Sequence, residues 1–167
     1  MKIVVIGAVA AGTSAAAKAR RNNDFAEIVI YEKDNHISYS GCGLPYFIGG
    51  EVEDLGELIP RDPSFFKKKY GIDIHIAHEV IWINGEKKEL FVRDLISGRE
   101  FIDTYDKLII ATGATPFIPD IKGIDSEHVF SLRNIRSAEK IRHFIEYNNP
   151  QYAVVVGTGF IGFEMLE

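Results

Sequence analysis

A chain of 167 residues, 46% hydrophobic and 26% charged, is long enough for one sizeable core and has the composition of an ordinary globular protein. Its net charge of −5 is spread along the sequence instead of gathered in a basic block, which argues against a nucleic-acid partner. No run of about 18 apolar residues occurs, and the N-terminal MKIVVIGAVAAG lacks the regions of a signal peptide, so no membrane association is expected and the cytoplasm is the expected location.

The first run, KIVVIG, is β-branched and ends at glycine, and AAGTSAAAKARR then supplies strong helix formers ending in basic residues. A second apolar run, AEIVIYEKD, reads as a strand, so residues 2 to 32 form a βαβ unit that closes at Glu32. Dinucleotide-binding folds place glycines at such a turn so that backbone N–H groups can approach a pyrophosphate, with an acid about 20 residues on for the ribose hydroxyls. Gly7, Gly12 and Glu32 have that spacing, but Val9 stands where the middle glycine belongs. On these residues alone the segment is either a dinucleotide turn or an ordinary βαβ unit.

Next comes HISYSGCGLPYFIGG, with the only cysteine, Cys42, between Gly41 and Gly43. A single cysteine cannot form an internal disulfide, which fits a reducing compartment and leaves a buried thiol, a reactive thiol or an intermolecular link. The stretch reads as a loop entering a helix. A helix N-terminus favours the thiolate, the reactive form, and flanking glycines leave the sulfur accessible, whereas a buried cysteine would act only as a small hydrophobe.

From residue 72 short alternating strands follow, IDIHIAHEVIWIN, KELFVRDL and REFIDTY, punctuated by the turn sequences NGEKK and SGR, which predict a small antiparallel meander. DKLIIATGATPFIP reads as a buried strand running into Gly113, with Pro116 and Pro119 ending regular structure. A connector leads to a helix over IRSAEKIRHFIEY. In YAVVVGTGFIGFEMLE a strand then meets a helix through a complete GxGxxG of Gly157, Gly159 and Gly162. Two such turns about 150 residues apart suggest two dinucleotide sites. The expected fold class is α/β: a three-layer Rossmann-like dinucleotide-binding domain over residues 1–149, with a parallel sheet and an antiparallel meander, followed at 150–167 by the start of a second Rossmann-like dinucleotide-binding domain. The histidines, His36, His75, His78, His128 and His143, have no metal-ligand spacing, and no metal is expected.

The combination of VVIGAVAAGTSAAAKARR, IYEKD, ISYSGCGLPY, YDKLIIATGATPFIP and VVVGTGFIGFEMLE resembles the flavoprotein pyridine nucleotide-disulfide oxidoreductases. Within them it is most similar to the single-cysteine branch of coenzyme A-disulfide reductases, NAD(P)H persulfide or polysulfide reductases, NADH oxidases and NADH peroxidases. A missing middle glycine at position 9 is itself a trait of that branch. The resemblance implies that Gly7, Ala8, Ala10, Ala11 and Gly12 hold the FAD pyrophosphate, with Glu32 on the ribose and Lys33 nearby. It further implies that Val80, Ala111, Thr112, Gly113 and Arg133 line the same cofactor, with a solvated surface arginine the lesser reading of Arg133. Gly157, Gly159, Ile161 and Gly162 would hold the ADP part of NADH or NADPH.

Relatives with a dithiol carry a second cysteine five residues from the first, and Ile37 and Phe47 cannot supply it. The resemblance therefore implies that Cys42 works alone, either with a disulfide, persulfide or coenzyme A thiol as partner, or through a sulfenic acid with oxygen or peroxide as acceptor. Peroxidase-like members place a histidine where Ala10 stands here, which favours the reductase reading. A non-catalytic flavin-binding module is the competing class. Ser14, Lys18 and Arg21 on one face of the first helix, with Ser38 and Lys69 (or Lys68), are the expected substrate residues, although a basic helix end is also an ordinary dipole-complementing face. Two departures from the coenzyme A-disulfide reductases, Gly41 where asparagine often stands and the uncertain placing of the lysine, leave persulfide and polysulfide substrates open. Family members extend beyond this segment into a completed nicotinamide domain and a dimerisation domain. The expectation is therefore an N-terminal portion, inactive alone, of a homodimeric enzyme.

Overall fold

The computed structural model describes residues 1–166. In chain order its elements are β1 (Lys2–Ile6), α1 (Ala11–Asn22), β2 (Glu27–Tyr31), a 3-10 turn (Gly41–Gly43), α2 (Leu44–Gly49), a second 3-10 turn (Leu55–Leu58), α3 (Pro63–Tyr70), β3 (Asp73–His75), β4 (His78–Asn84), β5 (Glu89–Asp94), β6 (Glu100–Thr104), β7 (Lys107–Ile110), α4 (Ile135–Asn148) and α5 (Phe160–Glu164). They form two compact units: Met1–Tyr39 with Ile59–Gly113, and Ser40–Leu58 with Ala114 onward.

The first unit is built on a four-stranded parallel sheet of order β3-β2-β1-β7 and a three-stranded antiparallel sheet of order β4-β5-β6. Because successive side chains of a strand point to opposite faces, the parallel sheet sends two sets of residues into two cores. Ile3, Val5, Ile28 and Ile30 pack with Ala16 of α1 and Phe66 of α3 on one face. Val4, Ile6, Val29 and Tyr31 pack with Leu90 and Val92 of the antiparallel sheet on the other. Strands buried on both faces explain why the runs KIVVI and EIVIY are continuously apolar instead of alternating. Each fully buried aliphatic side chain contributes about 1.5–3 kcal/mol, and Val4, Val5, Ile28 and Ile30 are all at most 1% exposed. The layers run helix, parallel sheet, meander, as the α/β fold class requires.

The stretch IDIHIAHEVIWIN is not one strand. Asp73–His75 joins the parallel sheet beside β2, with Val29 opposite Asp73 and Tyr31 opposite His75. The chain then reverses at Ala77, whose φ is +54°, and only from His78 does it enter the antiparallel sheet, pairing with β5. A non-glycine residue with positive φ is uncommon, and no glycine marks this break.

In the second unit the cysteine turn leads into α2, whose Leu44, Pro45, Phe47 and Ile48 are buried. Helix α4 opens with a capping box in which Asn134 accepts the Ser137 N–H at 3.0 Å and the Ser137 hydroxyl accepts the Asn134 N–H at 2.9 Å. The expected strand before the second glycine turn is not formed: residues 152–156 carry no strand pairing, and Val154 and Val156 are 87% and 96% exposed. A parallel strand exists through the ladder it makes with neighbours, and none of the described residues offers one. Among the described residues no helix is long and apolar enough to cross a membrane, and no group of three or more metal-ligating side chains occurs.

Candidate functional site

The first glycine turn joins β1 to α1. Gly7 has φ +100°, and a Cβ there would lie 2.3 Å from the Ala111 carbonyl oxygen, so only glycine lets the turn pass the end of β7. Gly12 faces back on the turn, where a Cβ would lie 1.8 Å from the Gly7 oxygen. Ala10 is the α1 N-cap and offers no side-chain acceptor, and no acid stands in the first turn. By contrast, α3 and α4 are capped by the side chains of Asp62 and Asn134. The opening N–H groups of α1 are thus left for an anion, as in phosphate-binding helix starts.

Glu32 ends the βαβ unit as a buried carboxylate, 8% exposed. One oxygen accepts the Ala8 N–H at 2.7 Å and the other the Asp34 N–H at 2.9 Å. Its own backbone is held by the turn after β3: its N–H donates to His75 O, and its carbonyl accepts the His78 N–H, both at 2.9 Å. A carboxylate has about four lone-pair sites; with two used, two remain, the number that a pair of ribose hydroxyls needs. Burial, reinforced by His78, holds the His75 imidazole below its ordinary value, so it stays neutral near neutral pH. The uncapped helix start, the tight glycine turn and the half-satisfied buried acid together fit a dinucleotide.

Around this cradle the first unit gathers most of the expected residues. Ala111, Thr112 and Gly113 follow β7, with the Ala111 N–H donating to Ile6 O at 2.8 Å. Ser38 has φ +51° and donates its N–H to Ala8 O at 2.9 Å. Val80 lies at a register shift in β4, a β-bulge of the sort that re-aims side chains. Lys33 is exposed.

Ser14 and Arg21 line a groove of about 210 Å³ together with Arg61, Phe65 and Tyr70. Lys18 is exposed and is not among the lining residues. Lys69 places its ammonium 5.3 Å from the centroid of the Phe65 ring and 5.5 Å from that of Tyr70. Arg61, Phe65 and Tyr70 went unnoticed in the sequence, although Asp62-Pro63 is a legible helix start that would have placed α3 and its aromatics.

In the second unit Cys42 is an exposed free thiol within a single 3-10 turn, whose Gly43 N–H donates to Ser40 O at 3.2 Å. A Cβ on Gly41 would meet nothing within 4 Å, whereas one on Gly43 would lie 2.4 Å from a Leu58 methyl. Arg133 is not a freely solvated arginine: its Nε donates to Ala114 O at 2.7 Å. The second glycine turn repeats the first, with Gly157 at φ +110° and a Cβ on Gly162 lying 2.2 Å from the Gly157 oxygen. Gly159 meets nothing within 4 Å, which explains how the equivalent position of the first turn accommodates Val9. Ile161 lies in α5 and is exposed.

The family model for pyridine nucleotide-disulphide oxidoreductases matches residues 1–166. The chain is 40% identical over 166 residues to a coenzyme A disulfide reductase of Staphylococcus haemolyticus, covering 99% of this chain and 37% of that protein. It superposes with TM-score 0.95 and 39% identity on the reduced Bacillus anthracis CoADR-RHD structure, and with 0.92 and 40% on an NAD-dependent persulfide reductase from A. fulgidus. In both cases 99% of this chain and 30% of the other are covered. The chain thus spans 30% to 37% of the length of these relatives.

Proposed function

Because the chain belongs to the pyridine nucleotide-disulphide oxidoreductase family, we infer that it forms part of a flavoprotein that passes electrons from NAD(P)H through FAD to a disulfide or persulfide by way of Cys42. Residues 1–149 are read as FAD-binding and residues 150–167 as the opening of the NAD(P)H-binding domain. Gly7, Ala8, Ala10, Ala11 and Gly12 take the FAD pyrophosphate on backbone N–H groups, Glu32 accepts the ribose hydroxyls, and Lys33, Val80, Ala111, Thr112, Gly113 and Arg133 line the rest. Gly157, Gly159, Ile161 and Gly162 take the nicotinamide nucleotide. When bound, FAD supplies the two-electron relay that returns Cys42 to its thiolate.

The chain's own part of the reaction lies at the Cys42 sulfur. Its thiolate attacks one sulfur of a substrate disulfide, a bond from Cys42 forms as the substrate S–S bond breaks, and the departing thiolate takes up a proton. With a persulfide, Cys42 accepts the terminal sulfur and the organic thiolate leaves. Ser14, Lys18, Arg21, Ser38 and Lys69 are read as holding the remainder of a coenzyme A-like substrate. The single observation that carries this reading is the exposed lone thiol of Cys42 in a turn flanked by Gly41 and Gly43. Alanine at position 10, without the histidine of peroxidase-like members, favours sulfur over oxygen as acceptor. Following the family, the assembled enzyme is a cytoplasmic homodimer acting on small molecules, with neither nucleic acid nor membrane as partner.

The test is the intact mass of the protein purified without reductant. A reducible adduct on Cys42 with the mass of coenzyme A, or of one or more sulfur atoms, is expected, and Cys42→Ser should lack it. A bare or merely oxygenated thiol would overturn the reductase reading in favour of the oxidase or peroxidase one.

A further inference from the structure

The bulge in β4 decides which way Trp82 faces. Val80 packs on the core between the two sheets, and in a regular strand the residue two places on would share its face. The register shift between Val80 and Trp82 gives β4 one extra residue, and Trp82 turns outward, 53% exposed. There it stands opposite Phe91 of β5, which in turn stands opposite Ile102 of β6. The Trp82 and Phe91 rings meet edge to face with centroids 4.9 Å apart, and Ile102 is 56% exposed. Leu90 and Val92, the chain neighbours of Phe91, fill the core side, so one apolar row crosses the outer face of all three strands. Single exposed apolar side chains are ordinary, but a contiguous row marks a contact surface, and tryptophan is among the residues that most often carry binding energy.

Polar rows flank it. Alternation along the strands puts Glu79, Arg93 and Glu100 in line on one side, and Asn84, Glu89 and Thr104 in line on the other. A second copy of this chain fits the pattern under one symmetry. A two-fold axis lying along the apolar row sets two such sheets face to face with their β5 strands antiparallel, and places Trp82, Phe91 and Ile102 against their own counterparts. The polar rows then exchange: Arg93 of each copy faces Glu89 of the other, Glu79 faces Asn84, and Glu100 faces Thr104. No like charges are opposed. An axis along β5 would instead set Arg93 against Arg93 and Glu89 against Glu89, so charge alone selects the first arrangement. Within the chain Arg93 is paired across the strands with Glu100 at 2.7 Å, both side chains half-exposed. A guanidinium has five N–H donors, so Arg93 can keep Glu100 and still receive Glu89 of the other copy.

The geometry points to the outer face of the antiparallel sheet as a self-association surface, with a second copy of this chain as its occupant and the exchange of Arg93 and Glu89 fixing its register. Three strands spaced about 4.8 Å apart and roughly 20 Å long present well under the roughly 800 Å² per partner of a standard interface. The association is accordingly weak, with a dissociation constant on the order of 0.1 mM. None of the residues of this face is among those read as holding cofactor or substrate, so the surface stands apart from the proposed function.

The test is sedimentation equilibrium of the chain from about 5 µM to about 500 µM, a range that brackets that constant. The average mass should climb from that of one chain towards that of two. Trp82→Thr, which keeps a strand-forming side chain, should weaken association at least about tenfold, as should Arg93→Glu and Glu89→Arg taken singly. An equimolar mixture of the two charge variants should associate more tightly than either alone, because each then meets the opposite sign at both exchanged positions; misfolded variants could not rescue one another in this way. Phe25→Ser, in the turn before β2 where Phe25 is 96% exposed, should leave association unchanged. A chain that stays monomeric at the top of this range overturns the proposal and leaves the row to a different protein. Association that survives Trp82→Thr, falls equally in Phe25→Ser, or shows no gain in the mixture overturns it as well.

Discussion

The carboxylate of Glu32 accepts the backbone N–H of Ala8 at 2.7 Å, tying the end of β2 to the first glycine turn. The bond means that the acid expected to read the cofactor's ribose also shapes the loop expected to hold its pyrophosphate. Glu32→Gln places an amide NH₂ where one of two backbone donors now finds an acceptor. Leaving a buried donor unmatched costs about 1–3 kcal/mol, so the urea midpoint should fall and FAD affinity should fall with it. A variant as stable as the parent would show that the Ala8 contact carries no load.

Gly12 and Gly41 allow a controlled comparison. A Cβ at Gly12 collides with the Gly7 carbonyl at 1.8 Å, a backbone atom that cannot turn aside, whereas a Cβ at Gly41 meets nothing within 4 Å. Gly12→Ala should cost about 3 kcal/mol or more, the upper range of overpacking, and Gly41→Ala should stay within about 0.5 kcal/mol. Denaturant unfolding of the two variants side by side checks this. The Gly41 variant then isolates any effect of the added methyl on Cys42 reactivity from effects on folding.

Asp103 gives the fold a pH dependence on its acid side. Burial raises its carboxyl, but hydrogen bonds from the Lys2 ammonium at 2.5 Å and the Tyr31 hydroxyl at 2.8 Å outweigh that, so the folded value lies below the ordinary 3.8. A depressed carboxylate contributes stability that is complete above its unfolded value and is lost as pH falls through the folded one. For Lys2, burial lowers the ammonium, while the bond and charge of Asp103 and the charge of Glu27 raise it, with a net rise above 10.5. Its contribution is therefore present below 10.5 and fades as pH climbs through the raised value. Asp103→Asn should cost about 2 kcal/mol at neutral pH, the scale of charged hydrogen bonds, and should show a shallower loss of stability below pH 4 than the parent. Parallel acid limbs would sink the assignment.

Much of this architecture was legible because the decisive signals are local. Continuous β-branched runs mark the doubly buried β1 and β2, and glycines mark turns that collide with any side chain. The break between β3 and β4 was not legible. Ile72, Ile74 and Ile76 keep a strand's alternation up to Ala77, and nothing in an alanine announces φ +54°. The segment 152–156 was over-read for the opposite reason, since its strand pattern is strong but a ladder depends on partners and not on the segment itself. Arg20 and Arg21 look alike in sequence as a basic helix end; which one fastens α3 and which one stays exposed follows from the helix's angular position and from carbonyls about 50 residues away. Arg61 was invisible because a single surface cation has no periodicity to betray it.

Arg142 of α4 governs the segment that follows the cysteine turn. One guanidinium nitrogen donates to the carbonyls of Phe47, Val52 and Glu53 at 3.2, 3.1 and 3.3 Å, its carbon lies 4.5 Å from the Phe47 ring centroid, and its Nε is paired with Glu146 at 2.9 Å. The surface pair with Glu146 is worth only about 0.3–0.5 kcal/mol, so the carbonyl bonds and the stacking dominate. These hold the C-terminal end of α2 and the irregular chain beyond it, which have little regular hydrogen bonding of their own. Arg142→Ala should lower stability by about 2 kcal/mol and raise amide hydrogen exchange across residues 44–55. Arg142→Lys should recover little, since an ammonium can neither stack as a plane nor offer the same fork. Glu146→Ala, which removes only the surface pair, should leave exchange there unchanged. If it raised exchange as much as Arg142→Ala, the anchor would be the ion pair and not the carbonyl cluster.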